Sequence, residues 1–237
     1  VNMIFRGDGK NNMIEGNCFR KWLNGKTIGK SYAAEYLQED KKDRITPITK
    51  VMMNPPFALK KGDEKEYKFI EHALKQMEDE GLLFAVLPIS VLIEKGTKKW
   101  RKEILLKENR LFGVITFPED LFYPVSVGTL GLFIQKGVPH NYEKHKVYFA
   151  RCIKDGLAKK KGVRKENSKV RNLLEEIKEE FRDFIKEKNS SIKDIPEFKK
   201  VCLLDKNDKA VELAPEGYID SRKPSLKEIQ EGVDWMV

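Results

Sequence analysis

The sequence predicts an α/β protein with a doubly wound sheet. Three short apolar runs, 51–53, 82–87 and 111–117, have the length and composition of buried strands. The segments between them carry apolar residues at helical spacing. Alternation of this kind predicts a mostly parallel sheet with helices on both faces.

The individual elements follow from local patterns along the chain. Residues 1–50 are irregular, and their one strand candidate is 13–19. The elements predicted next are a strand at 51–53, a helix at 64–80 ended by Gly81, a strand at 82–87, a helix at 93–107 and strands at 111–117 and 128–135. Because the last two strands are close in sequence, we expect them to run antiparallel.

The composition changes after a further strand candidate at 147–149. The run from Lys159 to Lys165 is strongly basic, and we predict that it is a loop. Apolar residues at helical spacing then predict a long amphipathic helix over 170–185, which packs on the sheet or on a partner subunit. Short segments and turns follow. We therefore predict two parts, a sheet domain at 1–150 and a helical and irregular extension at 151–237.

The charge balance indicates one class of partner. The net charge of +9 favours a polyanion, although many basic proteins bind none. The basic run near residue 160 is accordingly either a solvated surface or a DNA contact. Three cysteines, Cys18, Cys152 and Cys202, show neither metal-ligand nor disulfide spacing, and predict a reducing, cytoplasmic location. No apolar run has the length of a membrane span.

The tetrapeptide Asn54-Pro55-Pro56-Phe57 directly follows the first predicted strand. Each proline ring fixes its own φ, and Pro56 also keeps Pro55 extended. The carbonyl groups of such a loop cannot pair in a helix or a ladder. They are presented beside an amide and an aromatic ring, which suits a flat ligand that donates hydrogen bonds. The alternative interpretation is an ordinary proline-rich turn.

The tetrapeptide matches the amino-methyltransferase signature, in which Asn, Asp or Ser precedes Pro-Pro and then Phe or Tyr. The flanking sequence resembles N6-adenine DNA methylases of restriction-modification systems, in particular the type I modification subunit and fused restriction-methylase chains. Further matching blocks follow in family order at 2–7, 14–19, 84–88, 111–118, 127–137 and 154–156. The resemblance implies a Rossmann-like methyltransferase sheet.

The same resemblance implies roles for individual residues. Asn54, through its side-chain oxygen, and Pro55, through its carbonyl, would accept the two amino hydrogens of adenine, while Phe57 stacks on the base. The methyl group would come from S-adenosylmethionine and reach an adenine flipped out of double-stranded DNA. Asn17 stands where the family often has Asp, and is our candidate for binding the cofactor adenine; an ordinary turn is the alternative. We predict no metal.

Other aromatic residues follow the third predicted strand. Phe117-Pro118 and Phe122-Tyr123 could line the target-base side, but we interpret them as core and loop residues. The segment 213–218 resembles the lead-in to a target-recognition domain. A specificity subunit or a fused domain of that kind is therefore an expected partner.

The family's glycine-rich cofactor loop has no counterpart in this sequence. Gly7-Asp8-Gly9 has a different spacing, and we interpret it as a plain loop. We therefore expect a C-terminal portion of a longer protein, with a sheet incomplete at its N-terminal side and no activity alone. Two alternatives remain, a methylase of RNA bases or protein glutamine, and a degenerate methylase that only binds DNA or a partner.

Overall fold

The computed structural model describes Phe19 and residues 48–219, other than 59, 61, 123–126, 161–162, 187–191, 193 and 196. The chain divides into two units, Val1–Pro47 and Ile48–Val237. Apart from Phe19, every described residue belongs to the second unit. The predicted strand at 13–19, the Gly7-Asp8-Gly9 loop and Asn17 therefore lie outside the described residues, Phe19 excepted.

Six of the eight strands in the described residues form one mixed sheet. The strands are β1 Ile48–Met53, β2 Met77–Pro88, β3 Arg110–Thr116, β4 Thr129–Gln135, β5 Val147–Arg151, β6 Leu157–Lys160, β7 Val163–Glu166 and β8 Lys199–Cys202. The order in the large sheet is β1-β2-β4-β3-β5-β8. Strands β1, β2, β3 and β5 are parallel, whereas β4 and β8 run against them. The antiparallel orientation predicted for 128–135 is confirmed.

Besides 3-10 helices at Lys95–Thr97 and Pro215–Gly217, the described part of the chain contains four α-helices. They are α1 Glu66–Leu74, α2 Ser90–Ile93, α3 Lys98–Trp100 with a π-helical continuation Arg101–Leu106, and α4 Leu173–Ile185. The predicted helix at 64–80 is too long, because Met77 is buried and pairs with Ile48 at the start of β2. The predicted helix at 93–107 is interrupted at Glu94, whose backbone is extended with ψ 145°.

Both faces of the sheet are covered, which confirms the doubly wound prediction. On one face, residues of α1 and α3 join the inward residues of the strands in a single core; it includes Ile70, Trp100, Leu105, Leu83, Leu132 and Phe149. On the other face, Phe181 of α4 packs near Tyr148. A Cβ at Gly113 would lie 2.6 Å from the Phe181 ring, so glycine permits this close approach. The apolar side of α4 is therefore satisfied within this chain.

The basic run contributes residues 159–160 to β6 and residues 163–165 to β7, so the prediction of a loop is wrong for these residues. Strands β6 and β7 pair in register from Leu157 opposite Glu166 to Lys160 opposite Val163. A run of like charges suggests repulsion between paired strands. In the structure, Arg164 forms an ion pair with Asp155, which reduces this repulsion. Beyond residue 150, β8 also pairs with β5, so the large sheet continues past that point.

The fully buried side chain of Arg101 joins α3 to the C-terminal segment 204–219. Its guanidinium donates to the carbonyl oxygens of Val91, Ile93, Glu94, Ala210 and Val211 and to Thr97 Oγ1. Nearby, Leu213 N donates to Leu92 O at 3.1 Å. Tyr218 stacks on Phe149 with ring centroids 3.9 Å apart. Arg101 thus works as a clasp that holds this segment on the sheet domain.

His140 is 5% exposed, and neither ring nitrogen has a hydrogen-bond partner among the described residues. Burial, with smaller contributions from the charges of His145 and Arg110, lowers its pKa from 6.5 to about 4. The unfolded chain binds a proton near pH 6.5, whereas the folded chain resists it until about pH 4. Folding stability is therefore lost as the pH falls through this window.

Because the unfolded chain takes up this proton first, we expect His140 to lower the free energy of unfolding by about 2 kcal/mol between neutral pH and about pH 4.5. Urea unfolding at both pH values measures the change. Carboxylates titrate in the same range, so the comparison is with His140→Leu, which lacks only this group. His140→Leu should lose about 2 kcal/mol less unfolding free energy than the wild type between the two pH values. Identical pH dependence in the two proteins would show that His140 does not contribute.

Candidate active site

The parallel strands β1, β2, β3 and β5 all end on one side of the sheet, which we call the carboxyl end. Because β4 is antiparallel, its first residues also lie on this side. In open α/β sheets, ligands bind in the crevice beyond the carboxyl ends of the strands. The Asn-Pro-Pro-Phe loop follows Met53, the last residue of β1, and therefore lies on this side.

The loop alternates between exposed and buried residues. Asn54 and Pro56 are exposed, Pro55 is buried and Phe57 is half-buried. The loop belongs to neither a helix nor a strand. Pro55 thus fixes the loop to the protein, while the amide of Asn54 remains accessible to a ligand. The structure places these four residues together, and their catalytic roles stay a prediction.

A buried carboxylate holds the loop against α1. Glu66, the first residue of that helix, is 6% exposed, and its Oε1 accepts a hydrogen bond from Ala58 N at 2.6 Å. Hydrogen bonds from a backbone N–H to a carboxylate are short and strong. Glu66 was not among the predicted site residues. An acidic residue in the first turn of a helix was the one sequence signal that pointed to it.

The structure brings a second aromatic ring to the loop. Phe122 lies after β3, and its ring meets that of Phe57 edge to face, with centroids 5.6 Å apart and planes at 74°. Its interpretation as an ordinary loop residue is therefore incomplete. Tyr123, considered beside it, lies outside the described residues. Sequence spacing cannot pair two rings on different strand ends.

Two cavities open in this region. One of about 300 Å³ is lined by Phe57, Tyr67, Pro88 and Val127, among others. A larger one of about 860 Å³ lies between the ends of β3 and β5, with Phe117 and Glu216 in its lining. Both volumes fall within the range of small-molecule sites. The carboxyl end of the sheet therefore has room for a flat heteroaromatic ligand.

Two of the four acidic residues that line the larger cavity, Asp120 and Glu216, lie next to arginines. Arg164 lies 2.7 Å from Asp155 Oδ2 and 3.3 Å from Asp120 Oδ1. Glu216 accepts a hydrogen bond from Thr116 Oγ1 at 2.9 Å and lies 3.7 Å from Arg151 Nε. These pairs reduce the negative charge of the rim, to which Glu119 and Glu212 also contribute.

The described residues at this end of the sheet include neither a reactive thiol nor a metal cluster. Cys152 lines the larger cavity, but burial first and Asp155 second raise its pKa to about 11, so the thiol stays protonated near neutral pH. Among the residues that the structure describes, no three His, Cys, Asp or Glu side chains are grouped as metal ligands. The same residues include no helix long and apolar enough to cross a membrane.

The chain is similar to known proteins in sequence. Residues 9–225 match the family described as N-6 DNA Methylase. The type II restriction enzyme and methyltransferase RM.BcgI of Heyndrickxia coagulans is 33% identical over 168 residues. The match covers 69% of this chain and 24% of the relative. The chain thus spans about a quarter of that protein.

Solved structures show the same fold. The methyltransferase subunit of a type I restriction-modification system from Streptococcus thermophilus superposes with a TM-score of 0.57 at 20% identity, over 78% of this chain and 41% of that one. A second type I system, solved for its complex assembly and conformational transition, gives a TM-score of 0.51 at 19% identity with the same coverage. The Rossmann-like methyltransferase sheet predicted from the sequence is confirmed, and the chain belongs to the N-6 DNA methylase family.

Proposed function

We propose that the chain is part of a DNA N6-adenine methyltransferase of a restriction-modification system. In this proposal a methyl group passes from S-adenosylmethionine to an adenine flipped out of the duplex. The observation that carries the proposal is the exposed amide of Asn54 on a loop braced by the buried Pro55. Membership of the N-6 DNA methylase family supports it.

The loop offers the chemistry that an amino group needs. The lone pair of the adenine amino nitrogen is delocalised into the ring, which makes it a poor nucleophile. The side-chain oxygen of Asn54 and the carbonyl of Pro55 would accept its two hydrogens and favour a pyramidal nitrogen. No strong base is needed in this scheme, and positioning supplies much of the rate. Pro56 keeps the Pro55 carbonyl oriented by restricting the backbone before it.

Two aromatic rings would hold the flipped base. The rings of Phe57 and Phe122 now contact each other edge to face, and a base entering beside Phe57 would take the place of part of this contact. Flipping costs a few kcal/mol. Stacking of a base on an aromatic side chain contributes about 1–3 kcal/mol, which offsets that cost.

The residues of the loop are compatible with a positively charged cofactor. When bound, S-adenosylmethionine supplies an electrophilic methyl group on a sulfonium. Residues 54–57 present neutral oxygen acceptors and no cationic side chain that would repel this cation. We propose Asn17 as a contact for the cofactor adenine.

We also propose the partners and the location that follow from this activity. Double-stranded DNA is the substrate, and a specificity subunit or a fused target-recognition domain selects the sequence. Residues 1–150 would carry the catalytic part and residues 151–237 the connection to sequence recognition. The thiols of Cys152 and Cys202 are free, which supports a reducing, cytoplasmic location.

Product analysis tests the proposed function. The native protein is incubated with S-adenosylmethionine labelled in its methyl group and, separately, with duplex DNA, RNA and a protein mixture. Digestion and chromatography should find the label on N6 of adenine in DNA. Label on an RNA base or on protein glutamine would replace the proposal with the second candidate. DNA binding without transfer would indicate a degenerate methylase.

A further inference from the structure

Much of the net positive charge of the chain is concentrated at the β6–β7 hairpin and its flanks. Residues 154–171 include eight Lys and Arg but two Asp and Glu, in a chain whose net charge is +9. The segment begins just after β5, at the carboxyl end of the sheet. Local charge therefore rises on the side that carries the Asn-Pro-Pro-Phe loop.

One arginine ties the hairpin to the neighbouring strand-end loop. Arg164 of β7 binds both oxygens of Asp155, at 2.8 and 2.7 Å, and lies 3.3 Å from Asp120. The side chains of Arg164 and Asp155 are only 14% and 8% exposed, so water screens this pair poorly. Asp120 belongs to the loop between β3 and β4, as does Phe122. The hairpin is thus held at a fixed place relative to the proposed base pocket.

The base of the hairpin is also fixed by its backbone. Leu173 N donates to Lys154 O, and Asn167 N donates to Gly156 O, each at 3.0 Å. Gly156 has φ +80°, and a Cβ there would lie 3.1 Å from Asn172 Cβ. An isolated two-stranded hairpin is marginally stable in water. These hydrogen bonds at its base supply the support that two strands alone lack.

Apart from Arg164, the described side chains of β7 are exposed. Val163 is 55% exposed, and Lys165 is exposed as well. Of the acidic groups nearby, Asp155 and Asp120 both pair with Arg164, which offsets one of their two negative charges. Beyond the hairpin, α4 carries five acidic and two basic residues, so a polyanion is repelled there. A phosphate backbone would therefore meet the hairpin and avoid α4.

We propose that the β6–β7 hairpin binds the DNA backbone and is held beside the base pocket by Arg164. The inference rests on the proposed function and adds to it the surface that grips the duplex next to the flipped base. Lysine side chains that bind phosphates fix the position of a protein on DNA without reading the sequence. The hairpin would then set where the duplex lies, while sequence choice belongs to another part of the protein.

The test compares two variants of equal net charge. The hairpin variant combines Lys159→Gln, Lys160→Gln, Lys165→Gln and Lys169→Gln. The control variant combines Lys75→Gln, Lys107→Gln, Lys144→Gln and Lys146→Gln, four exposed lysines at the opposite, amino end of the sheet. Binding of a labelled duplex of arbitrary sequence is measured by fluorescence anisotropy over a series of salt concentrations.

The hairpin variant should bind at least about tenfold more weakly at about 0.1 M salt. Its slope of log Kd against log salt should fall by about 0.9 for each phosphate that the variant no longer neutralises. The control should keep the wild-type slope. Lys165→Gln alone should lower the slope by about 1. Because it is a single change at an exposed site, it tests the inference even if the fourfold variant misfolds.

The outcomes separate the two proposals. If both fourfold variants weaken binding equally, or if neither does, the hairpin inference is overturned while methylation of DNA can still be found by product analysis. If the wild-type chain binds no duplex at low salt, the hairpin inference fails whatever the product assay gives. A methyl group found only on RNA or protein would remove the proposed function itself.

Discussion

Replacing Asn54 by alanine is expected to abolish methyl transfer while leaving DNA binding nearly unchanged. The change removes one of the two acceptors that would hold the adenine amino group. Loss of one group that stabilises a transition state typically lowers kcat by at least about 100-fold. The exposed position of Asn54 means that folding should not suffer. Initial rates with labelled S-adenosylmethionine and duplex binding by anisotropy measure the two effects in the native protein.

Two further variants make this prediction specific. Asn54→Asp keeps an acceptor oxygen and stays within the family signature, so it should retain more activity than the alanine variant. Asn207→Ala changes another exposed asparagine, away from the loop, and should behave as the wild type. Comparable rates in Asn54→Ala and the unmodified protein would remove Asn54 from the mechanism.

Replacing Arg101 by methionine is expected to cause the largest loss of stability. The guanidinium makes six hydrogen bonds, five of them to backbone carbonyls of α2, its flank and the segment at 210–211. Methionine fills much of the volume but donates none of these bonds. Each buried acceptor left unpaired costs about 1–3 kcal/mol, so a total of at least about 3 kcal/mol is expected. Urea unfolding measures it.

The effect should be local as well as global. Hydrogen exchange at Leu213 N, which donates to Leu92 O, should accelerate because the clasp no longer holds the segment. Lys99→Met, an exposed change in the same helix, should alter stability by no more than about 0.5 kcal/mol. Arg101→Lys keeps the charge but has fewer hydrogen-bond donors. Its loss of stability should therefore lie between the losses of Lys99→Met and Arg101→Met. A loss below about 1 kcal/mol for Arg101→Met would show that the clasp is dispensable.

The central strands of the sheet were predictable because each contains a continuous apolar run. The runs at 82–87 and 111–117 needed no tertiary information, and both are strands. Met77 was assigned to a helix because its spacing from Ile70 and Leu74 is helical. In the structure it is buried in β2 by pairing with Ile48, which no local pattern reveals. Tertiary pairing outweighed helical spacing there.

The candidate site shows the same division between local and long-range information. Asn54 could be placed at a strand end because two prolines and an apolar run are adjacent in sequence. Phe122 could not be paired with Phe57, and Arg101 could not be assigned to the carbonyls of Ala210 and Val211, because each partner lies far along the chain. The basic hairpin was missed because the ion pair between Arg164 and Asp155 offsets the repulsion that composition suggests.

The insertion of antiparallel β4 between β2 and β3 bears on how such proteins diversify. The connection from β3 to β4 leaves and returns at the same end of the sheet, whereas a parallel successor would first have carried the chain to the far end. The length of this connection can therefore change without displacing either strand. Under the proposed function, the side of the base pocket to which Phe122 belongs would then vary between relatives while the sheet stays the same.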